Sequence, residues 1–366
     1  MTAVRSAIEL ADGRELFYFD DAPGADRSGT DTRDLPQTVG TSQIRWDPLY
    51  VEWAVIAGHR QARTYKPPKH DCPLCPSRPG HVSEIPAADY DVVVFENRFP
   101  SLSEDARDNV PAVTDGDFVS RAGAGRCEVV CFTSDHNTSF GHLPTRRVRT
   151  VLDAWVDRTR ALSAIPEAEY VYCFENRGEE IGVTLSHPHG QIYAYPFVPP
   201  RTAAAVRVAE AFYAEQGESL QSRLLKQELS DGRRVVTETE HFVAYVPFAA
   251  RWPYEVNIVP RRHVPDLPAL TEAELEDLAV IYLDVLSRFD QLFTTPAPYI
   301  AGWQQSPVRQ GREAWHLSAS VFTTRRSNNK LKFLAGSESG AGVWINDIPP
   351  ETAAERLRSG RRHSRD

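Results

Sequence analysis

One methionine and five cysteines occur among the 366 residues, and no stretch approaches the apolar length needed to cross a bilayer. An odd, sparse set of cysteines argues against a disulfide framework; in a reducing compartment it points to metal ligands or core thiols. A basic excess is missing too. The 41 Lys and Arg are outnumbered by 50 Asp and Glu, a net charge of -9, which argues against generic affinity for nucleic acid or a membrane surface. An anionic ligand would therefore need a locally basic pocket. The first ten residues, with Arg5 and Glu9, lack the apolar core of a signal peptide, so a cytoplasmic location is expected.

What is present describes a soluble globular protein, 41% hydrophobic and 25% charged, long enough for two ordinary domains, expected over 1–199 and 200–366. The Asp-, Gly-, Thr- and Pro-rich run from Asp20 to Gly40 reads as a solvated, non-catalytic loop, and the tail from Arg358 to Asp366 reads alike. Between them one pattern occurs twice. Val92 to Pro100, Glu128 to His136, a helix from Arg147 to Leu162, Tyr170 to Phe174 and His187 to Tyr193 make the first copy. Phe242 to Phe248, Glu255 to His263, a helix from Glu272 to about Phe293, Tyr299 to Trp303 and Trp315 to Phe322 make the second. Thr271 and Glu274 form a capping box ahead of the second helix. Alternating apolar residues in Val129 to Phe132 and Val256 to Val259 indicate an α+β fold of two related halves, mainly antiparallel sheets with helices on one face. A helical region, Arg201 to Leu229, links the halves.

The segment Ser186-His187-Pro188-His189-Gly190-Gln191-Ile192-Tyr193 carries the chemistry. Pro188 favours extended backbone at His187, so His187, His189 and Gln191 project from one strand face. Gly190 is expected to let a ligand approach the backbone closely. A neutral imidazole attacks phosphorus to give a phosphoramidate that a second nucleophile cleaves, dividing one transfer into two steps. Gln191 donates hydrogen bonds to a phosphoryl oxygen but supplies no proton. The leaving group must then depart without acid help, as a sugar 1-phosphate with a second pKa of about 6 does.

The His187-Pro188-His189-Gly190-Gln191 run resembles the active-site signature of galactose-1-phosphate uridylyltransferases, within the histidine-triad superfamily, and the likeness extends over nearly the whole chain. It implies two tandem histidine-triad-like halves, His189 as the nucleophile carrying uridine monophosphate between UDP-glucose or UDP-galactose and hexose 1-phosphates, and Gln191 as the stabiliser of the phosphoryl oxygen. Cys72-Pro73-Leu74-Cys75 presents two thiolates from one turn, as tetrahedral zinc requires. The resemblance supplies the other two ligands, His136 and His187, for a structural zinc that orients the active-site strand. Where some relatives hold a second ion, usually iron, the matching positions are Ala205, Gln304, Ser318 and Ser320, so that site is expected to be absent.

Arg60 and Arg63 alone would read as surface charges, but the resemblance makes them phosphate contacts. Phe95-Glu96-Asn97-Arg98-Phe99 resembles the uridine-facing segment, implying Phe95, Asn97 and Phe99 as contacts, with Arg98 where relatives often carry an acid. Asn176, in Phe174 to Gly178, is expected near the sugar phosphate, and Thr184 stands in for a phosphate-binding serine. Lys332, Phe333 and Glu338 lie in a segment resembling one that contributes hexose contacts across a homodimer interface, with Ser337 replacing a frequent tyrosine. A related nucleotide-sugar phosphorylase and a histidine-triad hydrolase are the alternatives; Gln191 in place of an acid argues against the hydrolase. A nucleic-acid-binding module built on the cysteine turn would need a basic face or interleaved aromatics, for which the acidic balance offers little support.

Overall fold

Eleven short runs rich in Val, Ile, Tyr and Phe pair into one sheet in the computed structural model, which describes residues 2–37, 39–62 and 66–360. In chain order these strands are β1 (Val4–Glu9), β2 (Glu15–Asp20), β3 (Val92–Glu96), β4 (Arg126–Cys131), β5 (Tyr170–Arg177) and β6 (His189–Tyr195). The second half adds β7 (Val235–Glu238), β8 (Phe242–Tyr245), β9 (Tyr254–Pro260), β10 (Tyr299–Gln304) and β11 (Ser318–Thr323). Their spatial order is β1-β2-β3-β4-β6-β5-β10-β11-β9-β8-β7, with every neighbouring pair antiparallel.

The expected repeat is present. β3-β4-β6-β5 and β8-β9-β11-β10 share one order and meet head to head, with Ile300 opposite Asn176 and Gly302 opposite Phe174 at the seam. A helix follows the second strand of each copy, α1 (Thr145–Ser163) in the first and α4 (Glu272–Asp290) in the second. The linking region is two helices, α2 (Pro200–Gln216) and α3 (Leu220–Asp231), and α5 (Pro350–Ser359) closes the described chain. The capping box forms, since the Thr271 hydroxyl accepts from the Glu274 amide and Glu274 accepts from the Thr271 amide.

α1 and α4 bury their apolar stripes in one core that draws on both halves, including Trp155, Tyr282, Leu286 and Trp303. The Trp155 ring stacks on Phe140 at 6.0 Å and meets Trp303 edge-on at 6.1 Å. Arg158 of α1 reaches through this face to the buried Glu128 of β4 with two bonds of 2.9 and 2.7 Å, anchoring helix to sheet. Strand alternation then assigns faces. On β6, Gly190, Ile192 and Ala194 are buried, while His189, Gln191, Tyr193 and Tyr195 alternate to the face away from the helices.

Three sequence expectations change. Gly190 faces the core: a Cβ there would sit 2.8 Å from both the Phe132 ring and the Phe174 carbonyl oxygen, so close packing, not ligand approach, requires glycine. The 20–40 run is tied to the body. Asp31 is buried, Arg33 bonds Glu84 at 2.8 Å, and the Arg27 guanidinium lies 4.9 Å from the centre of the Tyr18 ring. The tail's first residues pack too, Arg358 donating to the Val235 carbonyl at 2.7 Å; residues 361–366 lie outside the described part. A hairpin (β1, β2) and a separate four-stranded sheet built from 43–56 and 113–122 were not foreseen.

Candidate active site

The face of the sheet away from α1 and α4 carries the site. Antiparallel register places Cys131 opposite His189, Val129 opposite Gln191 and Phe174 opposite Gln191, so β4, β5 and β6 contribute side chains to one floor. His189 Nδ1 lies 2.7 Å from the carbonyl oxygen of His187, two residues earlier in the chain. That bond places the proton on Nδ1, and Nε2 keeps its lone pair. Burial lowers the His189 pKa, which favours the neutral, nucleophilic ring. Gln191 Oε1 accepts from the Tyr193 hydroxyl at 3.1 Å, leaving its amide N–H groups to donate into the site.

Two cavities meet at this imidazole. One of about 440 Å³ is lined by Lys66, His142, Asn176, Arg177, Thr184 and His189 among others. The second, about 240 Å³, runs past Arg60, Asn176, Thr184 and Gln191 to Phe95, Asn97 and Phe99. His189, Gln191, Arg60, Phe95, Asn97, Phe99, Asn176 and Thr184 all line one or both of these cavities. Arg63 lies outside the described residues. Lys332, Phe333 and Glu338 line neither cavity: Lys332 pairs with Glu338 at 2.7 Å, and Phe333 is 73% exposed.

Beside the floor, the donor atoms of Cys72, Cys75, His136 and His187 lie within 4.8 Å of one another. Cys75 Sγ is 3.3 Å from His136 Nδ1 and 3.6 Å from His187 Nδ1. A tetrahedral zinc with bonds of about 2.3 Å to sulfur and 2.0 Å to nitrogen sets such S···N edges near ~3.5 Å, so the donors fit that metal. His187 Nε2 donates to the Thr133 carbonyl at 2.8 Å, and His136 Nε2 meets the Ser186 hydroxyl at 3.1 Å, which turns both Nδ1 lone pairs to the centre. Burial holds His187 down to about 4 and thus neutral, while burial first, then Cys75, pushes the Cys72 thiol well up. A cation among these donors would offset the thiolate charge that burial opposes. Cys127, Cys131 and Cys173 are buried free thiols in strands, as expected.

Sequence reasoning missed the support around this floor. Pro73 and Leu74, between the two metal-facing cysteines, wall the smaller cavity together with the buried Glu84. Glu84 accepts from Arg14 at 2.6 Å, and both Arg14 and Arg33 lower its pKa against the opposing effect of burial. Partners separated so widely along the chain leave no local pattern; only the excess of charge in an otherwise irregular stretch hinted at pairing.

A neutral imidazole at the junction of two cavities, on a strand clamped by a Cys2His2 cluster in a duplicated four-strand, one-helix fold, defines a nucleotidyl-transferring enzyme built from histidine-triad-like halves. The profile described as galactose-1-phosphate uridyl transferase, N-terminal domain, matches residues 32–199, and that of the C-terminal domain matches 205–365. The chain belongs to the galactose-1-phosphate uridylyltransferase family. It is 46% identical to the galactose-1-phosphate uridylyltransferase of Streptomyces lividans, over 97% of each chain. A solved uridylyltransferase superposes with a TM-score of 0.76 at 32% identity, covering 87% of this chain and 98% of that one. An ADP-glucose phosphorylase from Arabidopsis thaliana, 23% identical with a TM-score of 0.67 over 87% and 98% of the two chains, shares the fold.

Proposed function

We propose that this enzyme moves a uridylyl group from UDP-glucose to galactose 1-phosphate by double displacement on His189. The observation that carries the reading is His189 at the meeting point of two cavities, its Nδ1 bonded and its Nε2 without a partner among the described residues, with Gln191 lining the smaller cavity beside it. Nε2 attacks the α-phosphorus; a P–N bond forms, the P–O bond to glucose 1-phosphate breaks, and the pair stays on the departing phosphate. Gln191 and Arg60 hold the phosphoryl oxygens as charge moves across them. A phosphate oxygen of galactose 1-phosphate then attacks, P–O forms, P–N breaks, and UDP-galactose leaves. Neither leaving group needs a proton, in keeping with a floor that offers an amide where a hydrolase would need an acid.

Zinc is the metal that suits Cys72, Cys75, His136 and His187, and its contribution is to fix the turn and the strand that carry the site. Gln304, Ser318 and Ser320 offer only an amide and two hydroxyls, and Ala205 nothing, so one metal per chain is the expected stoichiometry. Two copies form the working unit, with Lys332, Phe333 and Glu338 of each reaching the hexose phosphate bound by the other. Residues 1–199 carry the nucleophile and 200–366 the hexose contacts, and the enzyme works in the cytoplasm. Among the described residues no helix is long and apolar enough to cross a membrane.

The test is NMR of purified protein with UDP-glucose, with and without galactose 1-phosphate. UDP-galactose formed only when the acceptor is present supports the transferase. UMP accumulating in both tubes would replace it with a hydrolase, and turnover only with inorganic phosphate and a nucleotide sugar would replace it with a phosphorylase.

A further inference from the structure

Tyr90, two residues ahead of β3, is fully buried in a cluster that holds Cys72, Leu74, Cys75 and Cys131. Packing alone would need only its ring, which phenylalanine supplies equally well. Its oxygen has two partners. The carbonyl of Leu74, the residue just before Cys75, lies 2.8 Å away, and since a carbonyl only accepts, the phenol proton is committed to that bond. The same oxygen is 2.8 Å from His187 Nε2, where it can then only accept, and the Thr133 carbonyl takes its share of that N–H from 2.8 Å as well. One hydroxyl therefore joins the turn that offers two cysteines to the back of the imidazole whose Nδ1 faces them, 3.6 Å from Cys75 Sγ. The preceding residue reaches the remaining donor's segment: Asp89 Oδ1 accepts from the Tyr90 amide at 2.8 Å and from the Ser134 hydroxyl, two residues before His136.

From this arrangement we propose that Tyr90 is a positioning residue, whose hydroxyl sets the His187 imidazole against the cysteine turn so that the four donors converge, and thereby steadies the strand start that carries His189. The inference rests on the zinc-supported uridylyl-transfer reading above. Thr133 by itself settles which ring nitrogen of His187 bears the proton, but a single acceptor leaves the ring able to swing about that bond. A second acceptor, tied at its far side to Leu74, fixes the ring plane and its distance from the turn together. The chemistry feels this through the main chain, because the His187 carbonyl is the group that holds His189 Nδ1 at 2.7 Å. Tyr90 touches neither the nucleophile nor the cavities and acts through His187 alone.

The test compares the native full-length enzyme with Tyr90→Phe and, as control, Tyr18→Phe. Tyr18 is buried in the same cluster, but its hydroxyl accepts from the Ala87 amide at 3.3 Å, so its loss removes a buried oxygen that does not serve His187. Zinc release to a chromogenic chelator should be about tenfold faster from Tyr90→Phe and within about twofold of native from Tyr18→Phe. The melting temperature of Tyr90→Phe should fall further below native in the zinc-loaded than in the metal-stripped state, because a hydroxyl that only completes the core would cost both states alike. With zinc saturating, kcat for UDP-galactose formation should drop roughly fivefold and KM for UDP-glucose stay within about twofold. Zinc release from Tyr90→Phe within about twofold of native, equal melting losses in the two metal states, or equally fast release from Tyr18→Phe overturns the inference and leaves uridylyl transfer standing. A native enzyme that holds zinc but transfers no uridylyl group removes the reaction instead, and the release and melting comparisons still decide the role of Tyr90; a native enzyme that holds no zinc removes that role outright.

Discussion

His189 has one ring nitrogen committed to the His187 carbonyl and one without a partner among the described residues, and that division is what a single substitution interrogates. Asparagine can keep a donor near Nδ1 but has no lone pair of comparable nucleophilicity. His189→Asn is expected to lower turnover by about 10⁴-fold or more with circular dichroism unchanged, and a variant within tenfold of native would remove the nucleophile assignment. Gln191→Ala removes only the charge-stabilising donor, so a loss of roughly 10²-fold in kcat is expected, with KM for UDP-glucose moving far less.

Glu175 makes a separate prediction about stability. Its carboxyl is buried beneath the site; burial raises its pKa to about 8 against the smaller opposing pulls of the Tyr299 hydroxyl bond and Arg177. One of its oxygens, Oε2, has no hydrogen-bond partner among the described residues. Between the unfolded value of about 4.3 and the folded value near 8, the native state binds more protons than the unfolded chain, so this group makes stability fall as pH rises. Glu175→Gln keeps an acceptor for Tyr299 and removes the titration. Its Tm should exceed native by a few degrees at pH 8 and match it below about pH 4.5, as read by thermal denaturation. An equal Tm difference at both pH values would mean that the carboxyl is not held protonated.

At the scale of elements, the cysteine turn both offers two of the four candidate metal donors and walls the smaller cavity through Pro73 and Leu74, with the Pro73 carbonyl also accepting from the Glu84 amide at 3.1 Å. Loss of the metal should therefore loosen binding before chemistry. If the proposed zinc occupies these donors, Cys72→Ser should lose it by elemental analysis, melt several degrees lower, and raise KM for UDP-glucose more than it lowers kcat. Full zinc retention with native KM would separate the turn from the metal.

The same scale shows what could be read from sequence. The repeated strands and helices were legible because their signals are local: period-two alternation in β6, apolar Tyr254, Val256 and Ile258 alternating with Glu255 and Asn257 in the sequence of the otherwise buried β9, and a capping box ahead of α4. β2 escaped because five consecutive residues, Leu16 to Asp20, are buried and give no alternation. The separate small sheet escaped for the opposite reason, since its hairpin tips expose Tyr50 and Phe118. Glu84 and Arg33 escaped because an ion pair between distant loops has no period. Gly190 was read for its freedom when its neighbour Phe132, far along the chain, is what forbids a side chain.

Across the whole molecule, one sheet and one core join the halves, yet the C-terminal segment does not reach the site formed within its own chain. Lys332 is taken up by Glu338 and the Ile345 carbonyl, while Phe333, Val343 and Ile345 are exposed, an apolar surface. If each site takes its nucleophile from one chain and its hexose contacts from the other, two inactive variants can repair each other. In a hybrid of His189→Asn with Lys332→Ala, the site carrying native His189 receives native Lys332 from its partner, and the other site lacks both. Random mixing then leaves about a quarter of all sites intact, so coexpressed chains should recover roughly a quarter of native activity although each variant alone is nearly inert. Were Lys332 to serve the site of its own chain, no combination would be intact, and coexpression would restore nothing.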